Sequence, residues 1–168
     1  MLAVHRSFSV AFLLLSLLVS PFWASSVFAN TKDQVTSIVV KKADRVMYLV
    51  SGNEILRKYN IGLGFRPTGD KKISGDGRTP EGAYFIDRKN PNSKYFLSLG
   101  ISYPNAQDRA EAKTLNKSPG GDIFIHGRND LSWMLRRDWT AGCISVSNRD
   151  IKEIYRLVDI GTPIFIQP

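Results

Sequence analysis

Cys143 and His126 are the two residues of this sequence best suited to carry out nucleophilic chemistry together. Cys143 is the single cysteine, and His126 is the only histidine apart from His5 near the N-terminus. A thiol attacks a carbonyl as the thiolate, and a neighbouring imidazole can take its proton and later return it to a leaving amine. We therefore interpret Cys143 as a nucleophile and His126 as its proton donor and acceptor.

A glycine stands beside each of these residues. Gly127 follows His126 at the end of an apolar run, and it would let backbone or substrate come close. Gly142 precedes Cys143, so the amides of Gly142 and Cys143 could bind the oxyanion of a tetrahedral intermediate. Two alternatives remain open for Cys143: a buried, inert thiol and a thiol that pairs with another chain.

The first 29 residues have the order of a secretory signal peptide. Arg6 precedes an apolar run over residues 8–19, and small residues then lead to Ala29 as a cleavage site. Residues 30–36 are polar and predict a flexible tail before a domain over residues 37–168. This order predicts export to the periplasm or cell envelope, without stable membrane insertion once the signal is removed; an uncleaved anchor is the alternative. An unpaired cysteine in such an oxidising compartment calls for a reason.

The formal net charge of +8 indicates attraction to anionic surfaces. The basic residues are scattered, and the basic and aromatic motifs of nucleic-acid modules are missing from the sequence. We therefore expect no nucleic-acid partner, and cell envelope is the favoured anionic partner. Charge that serves only solubility is the alternative for each individual lysine.

Short apolar runs with turn residues between them predict a mainly β domain with two or three short helices. The predicted strands cover residues 38–40, 46–50, 54–61, 84–86, 95–101, 122–126, 144–146 and 163–167. A long connection rich in Gly, Pro, Lys and Asp spans residues 62–81. A short exposed helix is predicted over 105–115. A second helix begins at Ser147, has Ile151, Ile154, Tyr155 and Val158 on its apolar face, and ends at Gly161.

Together, these motifs resemble the YkuD-type L,D-transpeptidase catalytic domain. The residues that carry the resemblance are His126-Gly127, then Thr140-Ala141-Gly142-Cys143-Ile144, with Thr79-Pro80-Glu81-Gly82 upstream. The resemblance implies a β-sandwich over nearly all of the mature chain. It also implies that Cys143 forms an acyl-enzyme with a peptidoglycan stem peptide, that His126 is the acid and base, and that the carbonyl of Gly127 orients the imidazole.

The sequence departs from the family pattern at two positions. Many members have a second histidine where this chain has Ala141, and many have Arg or Asn where it has Ser145. The motif around Cys143 is similar to that of the YafK-like subgroup. These departures leave the nucleophile and the base in place, but they leave the recognition of a substrate carboxylate open, and with it the choice between transfer and hydrolysis.

Four further residues are candidates for substrate binding: Arg128, Tyr103, Thr140 and Asn148. Arg128 could bind a substrate carboxylate in a bidentate way or be a solvated surface residue. Tyr103 could line the groove or pack in the core. Thr140 could act near the thiolate or cap a turn, and Asn148 could contact the substrate or begin a helix.

We predict neither a metal nor a cofactor, because one histidine and one cysteine cannot build a zinc site without suitably placed carboxylates. Trp139 is interpreted as a core or pocket-wall residue. The 15 acidic residues would allow a two-carboxylate glycosidase, but no acidic pair stands out.

Three functions follow from these patterns. The first is an L,D-transpeptidase that acts on peptidoglycan stem peptides, releases D-Ala, and forms a cross-link or attaches a lipoprotein to the wall. The second is a hydrolase of the same fold, either an L,D-carboxypeptidase or an amidase that detaches a bound protein. The third is a non-catalytic wall-binding module, which the basic charge would also suit.

Overall fold

Three strands at the start of the domain form an antiparallel meander. The structure is a computed structural model that describes residues 34–128 and 137–168. Strands β1 (Ser37–Lys41), β2 (Val46–Ser51) and β3 (Glu54–Asn60) pair in sequence order. Buried and more exposed residues alternate along β1, as expected for a strand with one face in the core. The predicted meander is confirmed.

The last strand of the chain joins this meander to the rest of the domain. β8 (Pro163–Gln167) pairs in parallel with β1 and antiparallel with the first part of β4 (Gly82–Ser93). The second part of β4 pairs with β5 (Phe96–Ile101), so one long strand belongs to both halves of the sheet. β6 (Phe124–His126) and β7 (Ile144–Ser145) follow, giving the order β3-β2-β1-β8-β4-β5-β6-β7.

One hydrophobic core lies between the two halves of the sheet. A single buried cluster contains Ile38 and Val40 from β1 together with Leu99, Ile125 and Ile144 from the strands of the other half. Burial of such aliphatic side chains is the main favourable term in folding. The described residues therefore form a mainly β fold with two helices, and the predicted fold class is confirmed.

The two helices begin where the sequence predicts, but the second ends earlier than expected. α1 (Ala106–Thr114) has Asn105 as its N-cap, and α2 (Asn148–Leu157) has Ser147. The end predicted at Gly161 is wrong: Val158 is already the C-cap, in an extended conformation. Gly161, with φ +91°, turns the chain into β8 instead, and its amide donates to the Ile86 carbonyl at 2.7 Å.

The long connection over residues 62–81 is held in place by two buried lysines. Nζ of Lys42 donates to the carbonyls of Gly69 and Thr79 and to the carboxylate of Glu81, at 2.7–2.8 Å. Lys71 forms an ion pair with Asp76 at 2.9 Å. Lys42 and Lys71 are only 2% and 3% exposed, so these cations stabilise the loop and do not serve solubility.

The packed domain begins before Ser37. Val35 is buried, and Thr36, which the sequence assigns to a flexible tail, donates its amide hydrogen to the carbonyl of Val50 at 2.7 Å. The predicted signal peptide and residues 30–33 of the predicted tail lie outside the described residues. Within the described ranges, no helix has both the length and the apolar character required to cross a bilayer.

Candidate active site

His126 is the last residue of β6 and lies between two neighbouring strands. Its backbone is opposite Ser98 of β5 and Ser145 of β7. Ile125, one residue earlier, is fully buried, which ties the strand to the core. His126 itself is 3% exposed, so its ring is largely withdrawn from water.

Cys143 directly precedes β7 and shares a cavity with His126. Because Ile144 pairs with Ile125 in a parallel register, Cys143 lies beside the part of β6 that precedes His126. The cavity has a volume of about 280 Å³. Its lining residues are Asn90, Ser93, Lys94, Tyr95, Ser98, Asp122, Phe124, His126 and Cys143. The fold therefore brings the two sequence-predicted reactive residues to one concave site.

The His126 imidazole is oriented through its Nδ1 atom. Nδ1 lies 2.5 Å from the carbonyl oxygen of Gly127, which can only accept a hydrogen bond, so we assign the proton to Nδ1 and the lone pair to Nε2. Burial lowers the pKa of His126, the Gly127 carbonyl raises it, and the charge of Arg128 lowers it further, for a net decrease. The ring is therefore neutral at pH 7 and can accept a proton at Nε2.

Two aromatic rings enclose the imidazole. Tyr95 stacks on His126 with 4.5 Å between ring centroids and 25° between planes. Trp139 approaches edge-on, with centroids 5.8 Å apart and 71° between planes. Trp139 is interpreted from the sequence as a core or pocket-wall residue, whereas nothing in the sequence points to Tyr95. No motif marks a tyrosine that lies in a hairpin far from His126 in the sequence.

The Cys143 thiol is partly buried and lies against backbone groups. Its Sγ donates to the Asp122 carbonyl at 3.5 Å, and among the described residues the thiol makes no hydrogen bond to the imidazole. Burial raises the pKa of the Cys143 thiol and the Asp122 carboxylate adds to this, while the Phe124 amide and the Lys71 ammonium oppose it. The net shift is upward, so the resting residue is a neutral thiol.

The turn that presents Cys143 is fixed by Thr140 and Gly142. The Thr140 hydroxyl donates to the Cys143 carbonyl at 2.7 Å and accepts from the Gly142 amide at 3.2 Å, so Thr140 caps the turn. Gly142 has φ +141°, and a Cβ there would lie 2.7 Å from the Arg78 carbonyl oxygen. Only glycine fits this position.

The expected oxyanion role of Gly142 needs a correction. Its amide hydrogen is already donated to Thr140, because the turn folds back on that hydroxyl. Within residues 34–128 and 137–168, the Cys143 amide donates to no acceptor. The Cys143 amide is therefore the donor of this turn that remains available to an oxyanion.

Gly127 and Asn148 meet on the other side of His126. A Cβ on Gly127 would lie 2.7 Å from the Tyr95 carbonyl oxygen and would also collide with Oδ1 of Asn148. The same Oδ1 accepts the Arg128 amide hydrogen at 2.9 Å. Asn148 thus contacts the loop after His126, and it does not line the Cys143 cavity.

The structure does not bring Arg128 or Tyr103 to the Cys143 cavity. Arg128 lines a separate cavity of about 340 Å³ together with Asn60, Ile61 and Arg137. Tyr103 is 5% exposed, and its hydroxyl donates to the Pro119 carbonyl at 3.0 Å. Packing in the core, the alternative interpretation of Tyr103, describes its position. In the described part of the chain, no cluster of three or more His, Cys, Asp or Glu side chains could hold a metal ion.

Comparisons with known proteins agree with the mainly β fold of the domain. The chain matches the model of the YkuD family, the L,D-transpeptidase catalytic domain, over residues 35–166. YafK of Escherichia coli K12, a proposed L,D-transpeptidase, is 30% identical over 140 residues, which cover 82% of this chain and 48% of that protein.

Solved structures share the fold. Pgp2, a helical cell shape determining protein of Campylobacter jejuni, matches with a TM-score of 0.61 and 32% identity over 80% of this chain and 48% of that chain. Bd1075 of Bdellovibrio bacteriovorus matches with a TM-score of 0.57 and 27% identity, over 80% and 48% of the two chains. An L,D-transpeptidase of Mycobacterium smegmatis, at 16% identity and a TM-score of 0.52 over 78% and 58% of the two chains, shows the fold alone.

The chain therefore belongs to the YkuD family of L,D-transpeptidase catalytic domains. It spans about half the length of the curated relatives that it matches, at 48% of each.

Proposed function

We propose that the chain is an L,D-transpeptidase that acts on peptidoglycan stem peptides through an acyl-enzyme on Cys143. The observation that carries the proposal is that Cys143 and a His126 imidazole with its lone pair on Nε2 line one cavity. A neutral thiol beside a neutral imidazole is a pair in which one proton transfer creates both the nucleophile and the general acid.

The first half of the reaction releases D-Ala. The Cys143 proton leaves the Asp122 carbonyl and passes to Nε2 of His126, and the thiolate attacks the carbonyl carbon at the L-centre of diaminopimelate. The Cys143 amide donates to the oxyanion that forms. The carbon–nitrogen bond then breaks, His126 gives its proton to the leaving amine of D-Ala, and a thioester remains on Cys143.

The second half transfers the acyl group. An amine on a neighbouring stem or on a lipoprotein attacks the thioester carbonyl and gives a proton to Nε2 of His126. The carbon–sulfur bond breaks, and the thiolate recovers the proton from the imidazolium. One amide bond is broken and one is formed, so the transfer needs no metal, cofactor or external energy source.

The polar side of the cavity is suited to a peptide that carries charged groups. Asn90, Ser93 and Lys94 come from the β4–β5 hairpin, and Asp122 also lines the cavity. Ala141 and Ser145 supply no such contact, because the first has no polar group and the second is fully buried. We infer that substrate carboxylates are recognised from the hairpin side.

The direct test is to incubate the full protein with defined tetrapeptide muropeptides and to analyse the products by mass spectrometry. We expect release of D-Ala, a thioester adduct on Cys143, and cross-linked dimers. Tripeptide stems, which lack D-Ala, serve as the substrate control, and Cys143→Ala is the matched protein control. If wild type gives neither D-Ala nor an adduct, the proposal fails.

Hydrolysis is the second candidate. The observation that favours it is that Ala141 has no polar side chain and that the hydroxyl of Ser145 is buried. In this case, water takes the place of the acceptor amine, and the product is a trimmed stem or a released protein. The same mass spectra separate the two functions, because linked dimers as the main product exclude pure hydrolysis.

We also propose that the protein works in the cell envelope, where peptidoglycan lies. The net charge of +8 supports this through attraction to anionic envelope polymers. The similarity to Pgp2, which determines helical cell shape, leads us to propose that this chain also influences cell shape. A purely wall-binding role is tested by adding a carbapenem, since a covalent adduct on Cys143 would rule out a silent site.

A further inference from the structure

One peptide unit beside the active site is held at both of its ends. The carbonyl oxygen of Gly127 accepts the Nδ1 hydrogen of His126 at 2.5 Å. The amide hydrogen of Arg128, in the same peptide unit, is donated to Oδ1 of Asn148 at 2.9 Å. A trans peptide is planar, and its C=O and N–H bonds point in opposite directions. Fixing the N–H end therefore also fixes the direction of the carbonyl that orients the imidazole.

Asn148 is itself held by a helix that is anchored in the core. It is the first residue of α2, whose N-cap Ser147 accepts the Asp150 amide hydrogen at 3.0 Å. Ile151, one turn further on, is fully buried. Its Cγ2 atom lies 3.1 Å from the position of a Cβ on Gly127, so the helix packs directly against the loop that it would orient.

The peptide unit before this one is hydrogen-bonded to neighbouring strands, whereas the Gly127–Arg128 unit pairs with none of the described strands. The carbonyl of His126 accepts the Val146 amide hydrogen at 3.0 Å, and the Gly127 amide donates to the Leu97 carbonyl at 3.2 Å. Beyond Gly127 the β6 pairing has ended, so the next peptide unit has lost its ladder partners. A side chain must then supply the hydrogen bond that a strand would otherwise provide.

We propose that Asn148 is a positioning residue that holds the Gly127–Arg128 peptide so that the Gly127 carbonyl keeps the proton of His126 on Nδ1 and leaves Nε2 free for Cys143. The chain of contacts runs from the start of α2 through one peptide plane to the imidazole. The role deepens the proposed cysteine chemistry and rests on it for its catalytic meaning, although the contacts to the ring are independent of any reaction.

This role replaces the substrate contact considered for Asn148 from the sequence. Asn148 is exposed and does not line the cavity that contains Cys143, while its Oδ1 is directed at the backbone behind His126. Because water can take the place of an exposed acceptor, we expect its loss to change the orientation of the imidazole more than the stability of the fold.

The test compares Asn148→Ala, which removes the acceptor, with Asn148→Asp, which keeps an acceptor oxygen at the position of the Asn148 Oδ1 atom. Arg149→Ala is the control, because Arg149 is the next exposed residue of the same helix. Should the alanine variant fail to fold, Asn148→Ser keeps a side chain suited to a helix start but is too short to reach the Arg128 amide.

The primary readout is the imidazole tautomer, measured from the nitrogen chemical shifts of full-length protein labelled in histidine. The chain has two histidines, and His126→Gln identifies the signal of His126. We expect the Nδ1–H form in wild type, in Asn148→Asp and in Arg149→Ala, and a mixture of both tautomers in Asn148→Ala. A single Nδ1–H tautomer in folded Asn148→Ala would overturn the proposal.

The second readout is the first-order rate constant of carbapenem acylation. We expect it to fall about tenfold in Asn148→Ala, the scale of one lost hydrogen bond, and to recover in Asn148→Asp.

Different results would contradict the proposed function and the positioning role. A tautomer change without any adduct in wild type would sink the proposed function and leave the positioning role, whereas normal acylation with an unchanged tautomer in Asn148→Ala would sink the positioning role alone.

Discussion

Tyr95 lies against the imidazole of His126, with their ring centroids 4.5 Å apart and their planes 25° from parallel. Tyr95 reaches this position from the turn between β4 and β5. Lys94 of the same turn and Asn90 and Ser93 at the end of β4 also line the cavity. The ring therefore covers one face of the imidazole, while Trp139 meets it edge-on. The hairpin both shapes the cavity and limits the movement of the His126 imidazole.

Removing the aromatic ring of Tyr95 should slow acylation. A stacked aromatic pair contributes about 0.5–1.5 kcal/mol beyond its buried area, so we expect Tyr95→Leu to lower the acylation rate constant by up to about tenfold. Tyr95→Phe keeps the ring and should remain close to wild type. The measurement is the rate of carbapenem adduct formation, followed by mass spectrometry. Equal rates in Tyr95→Leu and wild type would contradict this role of the ring.

The pH dependence of acylation should follow the two shifted pKa values. Burial lowers the pKa of His126 from its usual 6.5, and the neutral ring is the reactive form, so the acid limb should lie below pH 6.5. Burial raises the pKa of the Cys143 thiol above 9.0, so the alkaline limb should lie above pH 9.0. Between the limbs, the rate should be nearly constant.

Arg128→Gln provides the matched variant for the acid limb. The Arg128 charge helps to lower the pKa of His126, so its removal should move the acid limb to higher pH. The measurement is the second-order acylation rate constant from about pH 4 to about pH 10. An acid limb above pH 6.5 in wild type, or a downward shift in the variant, would contradict the assignment of His126 as a neutral base.

Replacing Cys143 should stop the chemistry and replacing His126 should slow it strongly, in both cases without unfolding the protein. Cys143→Ala should form no adduct, because the thioester requires the sulfur. His126→Ala should slow acylation by about 10²–10⁴-fold, the usual contribution of a general base. Thermal unfolding serves as the check on folding. Adduct formation elsewhere in Cys143→Ala would remove the nucleophile assignment.

The local features of the fold could be predicted from the sequence because their causes are local. Short apolar runs separated by turn residues indicated the meander, and Ser147 with an acid three residues later indicated the start of α2. The pairing of His126-Gly127 with Gly142-Cys143 also led to residues that share a cavity. Each single motif lies within a few neighbouring positions, although the two halves of the His126 and Cys143 pair are well separated along the chain.

The remaining features depend on contacts between distant parts of the chain. Lys42 looks like a surface charge in sequence, and only the return of the loop over residues 62–81 gives its ammonium three hydrogen-bond acceptors. The stacking of Tyr95 on His126 requires the β4–β5 hairpin to pack against β6. The loss of the Gly142 amide to Thr140 depends on the geometry of one turn, which residue types do not fix.

Lys42 should be important for stability, because its side chain is 2% exposed and its ammonium donates to three acceptors. We expect Lys42→Met to lower the free energy of unfolding by about 3–5 kcal/mol, as for other broken buried ion pairs. Adding Glu81→Gln should recover part of the loss, since it removes the charge left behind. Urea unfolding measures both variants.

The Arg57–Glu153 ion pair provides the surface control for this prediction. Its side chains are 49% and 34% exposed, and solvent screens such pairs. Arg57→Met should therefore cost less than about 1 kcal/mol. Equal losses of unfolding free energy in Lys42→Met and Arg57→Met would contradict a larger contribution from the buried lysine.

Gly142→Ala should change the geometry of the turn without changing the reactive groups. The variant keeps Cys143, His126 and Thr140, but its new Cβ would lie 2.7 Å from the Arg78 carbonyl oxygen and 3.1 Å from Cδ1 of Ile123. The turn must therefore shift and carry Cys143 with it. Since a displacement of about 1 Å at a reacting group can cost 10²-fold in rate, we expect acylation to fall by about that factor.

Gly52→Ala is the control that isolates backbone strain from this displacement. Gly52 also has a positive φ, of +56°, but nothing lies within 4 Å of its Cβ position. The strain alone should cost about 1–2 kcal/mol of stability and leave the acylation rate unchanged. If Gly142→Ala lost stability but acylated as fast as Gly52→Ala, the position of the Cys143 turn would not limit the reaction, and the oxyanion role of the Cys143 amide would lose its support.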